Sequence, residues 1–264
     1  MLYQKREIES FADEVKSDGF CVLRGHFPPE KLARWREEFA PILHKHIEDS
    51  GETENRGANR YYVTLPFEKL FADEEIFADA DILAIVEKLI GADFTMVQLA
   101  TDTPLSGSKY QEIHRDAPPL FPEIEAETPA FQLAVNFPLV DVTEENGPFE
   151  VSGKTHLMTR EEGLRSIETG ENPIRAVTLK LGDVMIRDVR GLHRGTPNKT
   201  GEPRPMCVIG YSRKWLFRPE VFIRIPRNVW ETLSPASKKM LRFNRVVESL
   251  DDSFGEEIYQ SFAY

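Results

Sequence analysis

The feature of this sequence that most limits its fold is a change in hydrophobic periodicity near residue 94. From about residue 94 onward, short segments alternate apolar and polar residues and are separated by Pro and Gly, as is typical of antiparallel sandwich and barrel strands. In the clearest of these segments, 131–139, every second residue is large and apolar, while Gln132, Ala134 and Asn136 occupy the other face. We predict strands at 94–101, 110–116, 131–139, 184–188 and 205–211.

The two ends of the chain have a helical pattern instead. Residues 1 to about 90 read as mostly helical, because apolar residues recur at steps of three and four, as in Leu32, Trp35, Phe39, Leu43 and Ile47. A short apolar run at 19–23 is the exception and predicts a strand. After Arg218 the chain returns to helical patterning and then to an acidic tail. We therefore expect one domain over 1–264, with helical support at 1–90, a β core at 94–213 and a helical C-terminal segment at 219–264.

Composition narrows the class of partner. A chain of 264 residues with 41% hydrophobic content can bury one substantial core, and its net charge of −11 argues against general nucleic-acid binding. The sequence contains no apolar run long enough to span a membrane, and its charged start has no signal-peptide core. Two cysteines in no metal-binding or redox spacing favour the reducing cytoplasm. A small-molecule partner is the expectation that remains.

Two histidines and a carboxylate offer a metal site. His114 and Asp116 are two residues apart on a predicted strand, so both side chains point the same way, and His193 follows 77 residues after Asp116. Two imidazoles and one carboxylate are the ligand set of non-haem Fe(II) centres that activate oxygen. Gly191 and Gly195 flank His193, and we expect them to let the backbone approach the metal closely.

An arginine strengthens this interpretation. Arg204 lies 11 residues after His193, and its guanidinium can bind a terminal carboxylate through two hydrogen bonds. The surrounding segment, 184–218, carries eight basic residues against two acidic ones. That excess predicts either a solvated basic surface or a positive mouth that attracts an anionic co-substrate and, among candidate substrates, an anionic one. The segment 57–62 is a candidate for the rim of the same pocket.

The full set of motifs resembles the phytanoyl-CoA dioxygenase family of Fe(II)/2-oxoglutarate-dependent oxygenases. The resemblance runs from 18–25 through the His114-Arg115-Asp116 triplet and the Asn146-Gly147-Pro148 turn to Gly182-Asp183 and the segment from His193 to Arg204. It implies an α+β fold, mainly β with flanking helices, whose core is a double-stranded β-helix of the jelly-roll, cupin-like kind. The change in periodicity agrees with that fold.

The resemblance also implies roles for individual residues. His114, Asp116 and His193 would bind Fe(II), and Arg204 would bind the C5 carboxylate of the co-substrate 2-oxoglutarate. Gln132 would be a second co-substrate contact, and Met96 and Gln98 would share a face of their strand and line the same pocket. Asn136 would contact co-substrate or substrate, or else be a satisfied polar group of the barrel. His156 departs from the family's glycine–histidine spacing, so we interpret it as structural.

On this basis we expect a dioxygenase that uses O2 to hydroxylate an unactivated C–H of a small metabolite, with release of succinate and CO2. Asp116 disfavours halogenation, because the family's halogenating relatives carry a small residue at that position. Two alternatives stay open. One is a catalytically silent metal-binding barrel that acts as a binding or sensing module, and the other is a metal-dependent isomerase or hydrolase on a cupin-like barrel. Neither alternative explains Arg204 at its spacing from His193.

Overall fold

The computed structural model describes residues 1–50, 57–121, 123–124, 128–216 and 222–251. Its helices are α1 (Lys5–Asp18), α2 (Pro29–Ser50), α3 (Glu74–Phe77), α4 (Ala80–Ile90), α5 (Arg160–Glu168), α6 (Arg227–Thr232) and α7 (Pro235–Met240). Its strands are β1 (Phe20–Leu23), β2 (Arg60–Thr64), β3 (Phe94–Pro104), β4 (Gln132–Pro138), β5 (Phe149–Ser152), β6 (Ile174–Val177), β7 (Val184–Asp188), β8 (His193–Gly195), β9 (Met206–Arg213), β10 (Arg224–Pro226) and β11 (Arg245–Val247). Short 3-10 helices cover Lys69–Ala72 and Thr155–Leu157.

Two antiparallel sheets form the β core. The larger has six strands in the order β1-β7-β4-β9-β3-β2, and the smaller has three in the order β6-β5-β8. Within the described residues, the two sheets do not close into a barrel. The result is the expected α+β fold with a jelly-roll, cupin-like core.

The alternation in β4 is explained by what covers each face of the strand. Leu133, Val135 and Phe137 belong to the main hydrophobic core, where the Phe137 ring meets the Trp35 ring of α2 at 5.5 Å. Gln132 and Asn136 face a cavity on the opposite side. All of β4 is therefore buried, because helices cover its apolar face and its polar face lines the cavity.

The predicted helix signals are confirmed at both ends of the chain. In α2 the residues Leu32, Trp35, Phe39 and Leu43 are buried in the main core. Helix α6 begins at Arg227, directly after Pro226. Helix α7 has Pro235 at its start and Ser234 as N-cap, whose hydroxyl accepts a hydrogen bond from the Ser237 amide.

The structure corrects three parts of the predicted organisation. The N-terminal segment is not only helical support, since β1 and β2 form the two edges of the large sheet; the run at 19–23 predicted β1, and β2 was missed. The C-terminal segment adds the parallel pair β10 and β11. The predicted strand at 110–116 contributes only one bridge pair, His114 with His193. Most of the predicted acidic tail lies outside the described residues.

None of the described helices combines the length and the apolar composition needed to cross a bilayer.

Candidate metal centre and anion site

The three predicted metal ligands come together in the structure. One potential ligand atom from each of His114, Asp116 and His193 lies within 4.8 Å of the other two. Asp116 Oδ1 is 3.4 Å from His193 Nε2 and 3.7 Å from His114 Nε2. His193 begins β8, and the loop that carries His114 and Asp116 runs beside it, with paired backbone hydrogen bonds of 3.0 Å between the two histidines. That backbone pairing brings together residues that are far apart in the sequence.

Backbone carbonyls orient both imidazoles. The Nδ1 atom of His114 lies 2.7 Å from the Glu112 carbonyl oxygen, and that of His193 lies 2.9 Å from the Gly191 carbonyl oxygen. With Nδ1 as the donor in each ring, Nε2 keeps its lone pair for a metal. Burial, and then the neighbouring His193, lower the pKa of His114 to about 4, so its ring is neutral at pH 7.

Asp116 is held as a carboxylate by an arginine. Arg187 donates a hydrogen bond from Nη2 to Asp116 Oδ2. Removal from bulk water raises the pKa of Asp116, but the Arg187 guanidinium, and after it the neighbouring His193, outweigh that effect and hold the pKa well below its usual value. The centre therefore offers two imidazole nitrogens and one anionic carboxylate oxygen, a ligand set that suits Fe(II).

A buried positive cluster lies at the same cavity. Arg204, which is 1% exposed, has Nη2 at 4.0 Å from Asp102 Oδ2 on β3. Arg60 on β2 donates to the same oxygen at 2.7 Å and to the Thr196 carbonyl at 2.7 Å. Two guanidinium groups thus share one carboxylate. Burial lowers the pKa of Arg204 to about 10 against the opposing effect of Asp102, which still leaves Arg204 charged at pH 7.

Arg204 is also short of a hydrogen-bond partner. Its Nε is buried and has none among the described residues, and a buried charged donor left in that state is costly. A carboxylate in the cavity would supply the missing acceptor and balance the excess positive charge. Sequence reasoning missed Asp102 and placed Arg60 only at the rim, although Asp102 is the single acidic residue of β3, which is a signal that could have identified it.

Of the four further residues that we expected at the pocket, three line the cavity and one does not. Gln132, Gln98 and Asn136 line the cavity beside the triad. Gln98 donates to the Tyr62 hydroxyl, so Tyr62 of the segment 57–62 does reach the pocket. The expectation for Met96 is wrong: it is fully buried in the main hydrophobic core and does not line this cavity.

Both side-chain atoms of Asn136 have hydrogen-bond partners within the protein, and its contact with co-substrate or substrate stays a prediction. Its Oδ1 accepts a hydrogen bond from Arg187 Nε at 3.2 Å, and its Nδ2 donates to the Cys207 carbonyl at 3.4 Å. His156 is buried away from the triad, where Nε2 donates to the Lys16 carbonyl at 3.1 Å. A structural role for His156 agrees with that placement.

Much of the positive charge in 184–218 is neutralised locally. Arg187 pairs with Asp116, Arg190 pairs with Asp188, and Arg194 pairs with Glu150. Arg204 lines the cavity and shares Asp102 with Arg60, which lies outside this segment. An anionic primary substrate stays a prediction.

Comparisons with known proteins agree with this geometry. Residues 15–206 match the sequence profile of phytanoyl-CoA dioxygenase (PhyH). The chain is 23% identical over 261 residues to the multifunctional dioxygenase ausE of Penicillium brasilianum, with 91% of this chain and 85% of that protein covered.

Solved structures share the fold. The epimerase SnoN from nogalamycin biosynthesis, in complex with Fe3+, alpha ketoglutarate and nogalamycin RO, superposes with a TM-score of 0.62 at 22% identity over 79% of this chain and 84% of SnoN. HygX from Streptomyces hygroscopicus, with nickel and 2-oxoglutarate bound, gives 0.59 at 17% identity over 84% and 91% of the two chains. Because the profile match covers most of the chain and contains His114, Asp116, His193 and Arg204, the chain belongs to the phytanoyl-CoA dioxygenase (PhyH) family.

Proposed function

We propose that the protein is a non-haem Fe(II)- and 2-oxoglutarate-dependent dioxygenase that hydroxylates an unactivated C–H of a small metabolite. Family membership places the chain among the Fe/2-oxoglutarate oxygenase-type enzymes. The observation that carries the proposal is that one cavity is lined both by the His114–Asp116–His193 cluster and by Arg204, whose buried Nε has no hydrogen-bond partner among the described residues.

The residues present fit the metal. His114 and His193 would each supply Nε2, and Asp116 would supply a carboxylate oxygen, which is the ligand set of non-haem Fe(II) centres. When bound there with 2-oxoglutarate and O2, iron supplies the oxidant for the C–H, while 2-oxoglutarate is converted to succinate and CO2. The chain's own part is to orient these ligands, keep the His114 imidazole neutral and hold Asp116 ionised.

The residues present also fit the co-substrate. The Arg204 guanidinium would receive the C5 carboxylate of 2-oxoglutarate, and Asp102 and Arg60 would hold that guanidinium in place. Gln132 lines the same cavity, and its buried Oε1 has no partner among the described residues. We propose Gln132 and Gln98 as further polar contacts to the bound molecules.

Hydroxylation is the finer part of the proposal. The structurally similar SnoN is an epimerase, and the fold alone does not decide the outcome of the oxidation. The position of the target C–H relative to the metal decides it. Retention of the triad together with Arg204 favours an active oxygenase over a silent metal-binding module, which would have no use for a co-substrate site.

The test is an anaerobic titration of metal-free protein with Fe(II) and 2-oxoglutarate, which requires no substrate. We expect a visible charge-transfer band that appears only when both are present. His114→Ala should abolish the band, and Arg204→Ala should raise the 2-oxoglutarate concentration needed to form it.

Arg213→Ala is the matched control, because Arg213 donates to the Ala130 carbonyl and does not line the cavity. It should behave as wild type. Folded wild-type protein that forms no band would contradict the proposal and favour a binding module. A band in wild type that is insensitive to Arg204→Ala would refute the anion-site assignment alone.

A further inference from the structure

Arg187 occupies an unusual place beside the triad. It lies on β7 of the large sheet and is only 6% exposed. Its Nη2 donates to Asp116 Oδ2, its Nε donates to Asn136 Oδ1 at 3.2 Å, and its guanidinium carbon lies 5.0 Å from the centre of the Phe149 ring. The side chain thus joins the two sheets at the metal centre.

The contacts around Arg187 fix its orientation. Asn136 is itself anchored to the Cys207 carbonyl, so the acceptor for Nε belongs to the rigid centre of the large sheet. On the other side, the Phe149 ring stacks on His193, with centroids 4.8 Å apart and planes inclined by 24°. The guanidinium therefore has a defined position between β4 and a second metal ligand.

In that position, Arg187 contacts one carboxylate oxygen of Asp116 and leaves the other facing the two histidines. Oδ2 is engaged by Arg187, while Oδ1 lies 3.4 Å and 3.7 Å from the Nε2 atoms of His193 and His114. A carboxylate can bind a metal through one oxygen or through both. We propose that Arg187 is a positioning residue that makes Asp116 a one-oxygen ligand and so keeps a metal coordination position open for 2-oxoglutarate or O2. This inference rests on the proposed function.

The shape of arginine suits this task. Nε and Nη2 lie on one edge of the planar guanidinium, so a single side chain can hold Asn136 and Asp116 at once. A lysine at this position would retain the positive charge but has one nitrogen on a flexible stem. The substitution Arg187→Lys therefore separates the effect of the positive charge from the effect of the guanidinium geometry.

Loss of Arg187 should raise or preserve the affinity for the metal ion and lower the affinity for 2-oxoglutarate. Asp116 would have both oxygens free and would lose a nearby positive charge, and both changes favour a bound cation. The second oxygen would then occupy the position that 2-oxoglutarate needs, so co-substrate binding should weaken. A packing defect, in contrast, would weaken both kinds of binding in parallel.

The experiment uses Co(II), because its visible absorption reports binding and weakens as coordination number rises. Metal-free protein is titrated with Co(II), and the Co(II)-loaded protein is then titrated with 2-oxoglutarate, for wild type, Arg187→Met and Arg187→Lys. Arg190→Lys is the control, because Arg190 is an equally buried arginine that pairs with Asp188 and does not line the cavity.

For Arg187→Met we expect Co(II) binding at least as tight as wild type, a weaker Co(II) absorption and a loss of about tenfold to a hundredfold in 2-oxoglutarate affinity. Arg187→Lys should restore the affinity for 2-oxoglutarate only in part, and Arg190→Lys should match wild type. Where Arg187→Met does not fold, the comparison of Arg187→Lys with Arg190→Lys decides by the same spectral criterion.

Several results would overturn the inference. The first is that the Arg187 variants have the Co(II) spectrum and the 2-oxoglutarate affinity of wild type. The second is that metal binding and co-substrate binding weaken in parallel. The third is that Arg187→Lys has the full wild-type affinity for 2-oxoglutarate, which would assign the effect of Arg187 to its charge alone. Wild-type protein that binds no Co(II) would refute the proposed function and this inference together. Wild-type protein that binds Co(II) and 2-oxoglutarate, with unaffected Arg187 variants, would refute the inference alone.

Discussion

At the scale of single residues, Gly195 shows that a glycine near a metal centre can be needed for another reason. We expected Gly191 and Gly195 to let the backbone approach the metal. A Cβ on Gly195 would instead lie 2.3 Å from Arg60 Nη1 and 2.6 Å from Gln111 Oε1. The missing side chain therefore makes room for the arginine that shares Asp102 with Arg204.

Gly195→Ala should accordingly damage the anion site. The added methyl group would push Arg60 away from Asp102, so we expect a loss of about 1–3 kcal/mol in the free energy of unfolding and weaker binding of 2-oxoglutarate. Urea unfolding and 2-oxoglutarate titration of the metal-loaded variant measure the two effects.

Gly191→Ala provides the comparison on the other side of His193. Its added Cβ would meet its nearest neighbour, the Asp188 carbonyl oxygen, at 3.5 Å, an ordinary contact. We expect near wild-type stability and co-substrate affinity. Equal effects of the two substitutions would count against the role assigned to Gly195.

At the scale of elements, one irregularity in β3 decides which residues reach the cavity. Met96 pairs with Tyr211 and Gln98 pairs with Gly210, so the register shifts by one residue between them. In a regular strand the side chains of residues 96 and 98 would share a face. The bulge places Met96 in the helix-covered core and Gln98 in the cavity.

Substitution of these two residues should separate stability from binding. Met96→Ala should cost about 2–5 kcal/mol in the free energy of unfolding, because a fully buried side chain leaves a void, and should leave the 2-oxoglutarate affinity of the folded protein unchanged. Gln98→Ala should cost less stability and weaken ligand binding. Urea unfolding and 2-oxoglutarate titration of the metal-loaded variants test this. Altered 2-oxoglutarate binding in Met96→Ala would contradict the placement of Met96 outside the cavity.

At the scale of the whole molecule, the site draws on both sheets. His193 belongs to the small sheet, whereas Arg187, Asn136 and Asp102 lie on the large one. The main core contains residues from Ile8 to Leu241. We therefore propose that residues 1–264 form a single domain, in which a bound metal would link His193 of the small sheet to the loop that carries His114 and Asp116.

Metal and 2-oxoglutarate should then stabilise the whole protein, and each should add more when the other is bound. We expect little rise in melting temperature with 2-oxoglutarate alone, a moderate rise with Mn(II), and the largest rise with both. Saturation at a hundred times Kd stabilises a protein by about 2.7 kcal/mol. Differential scanning fluorimetry with and without chelator measures this. An equal shift with 2-oxoglutarate alone would mean that the anion site acts independently of the metal.

Local sequence pattern sufficed to predict many of the helices and strands. The alternation in 131–139 predicted β4, the periodicity from Leu32 to Leu43 predicted α2, and Ser234-Pro235 predicted the start of α7. Residue type and spacing suggested a metal site at the triad and an anion site at Arg204, and the family resemblance supplied their roles, which stay predictions. The predictions of helices and strands succeed because periodicity, capping and turn preferences act between residues close in sequence.

The sequence, through its periodicity and its family resemblance, thus determined the class of fold and most of its elements, and it predicted four residues as ligands of iron and 2-oxoglutarate. Only the tertiary structure decided that Asn136 holds Arg187, that Asp102 joins Arg60 to Arg204, and that Met96 is excluded from the cavity. Those contacts join residues from about 40 to more than 100 positions apart, or depend on one extra residue in β3. Strand register and sheet packing set them, and a shift of one residue turns a side chain to the opposite face.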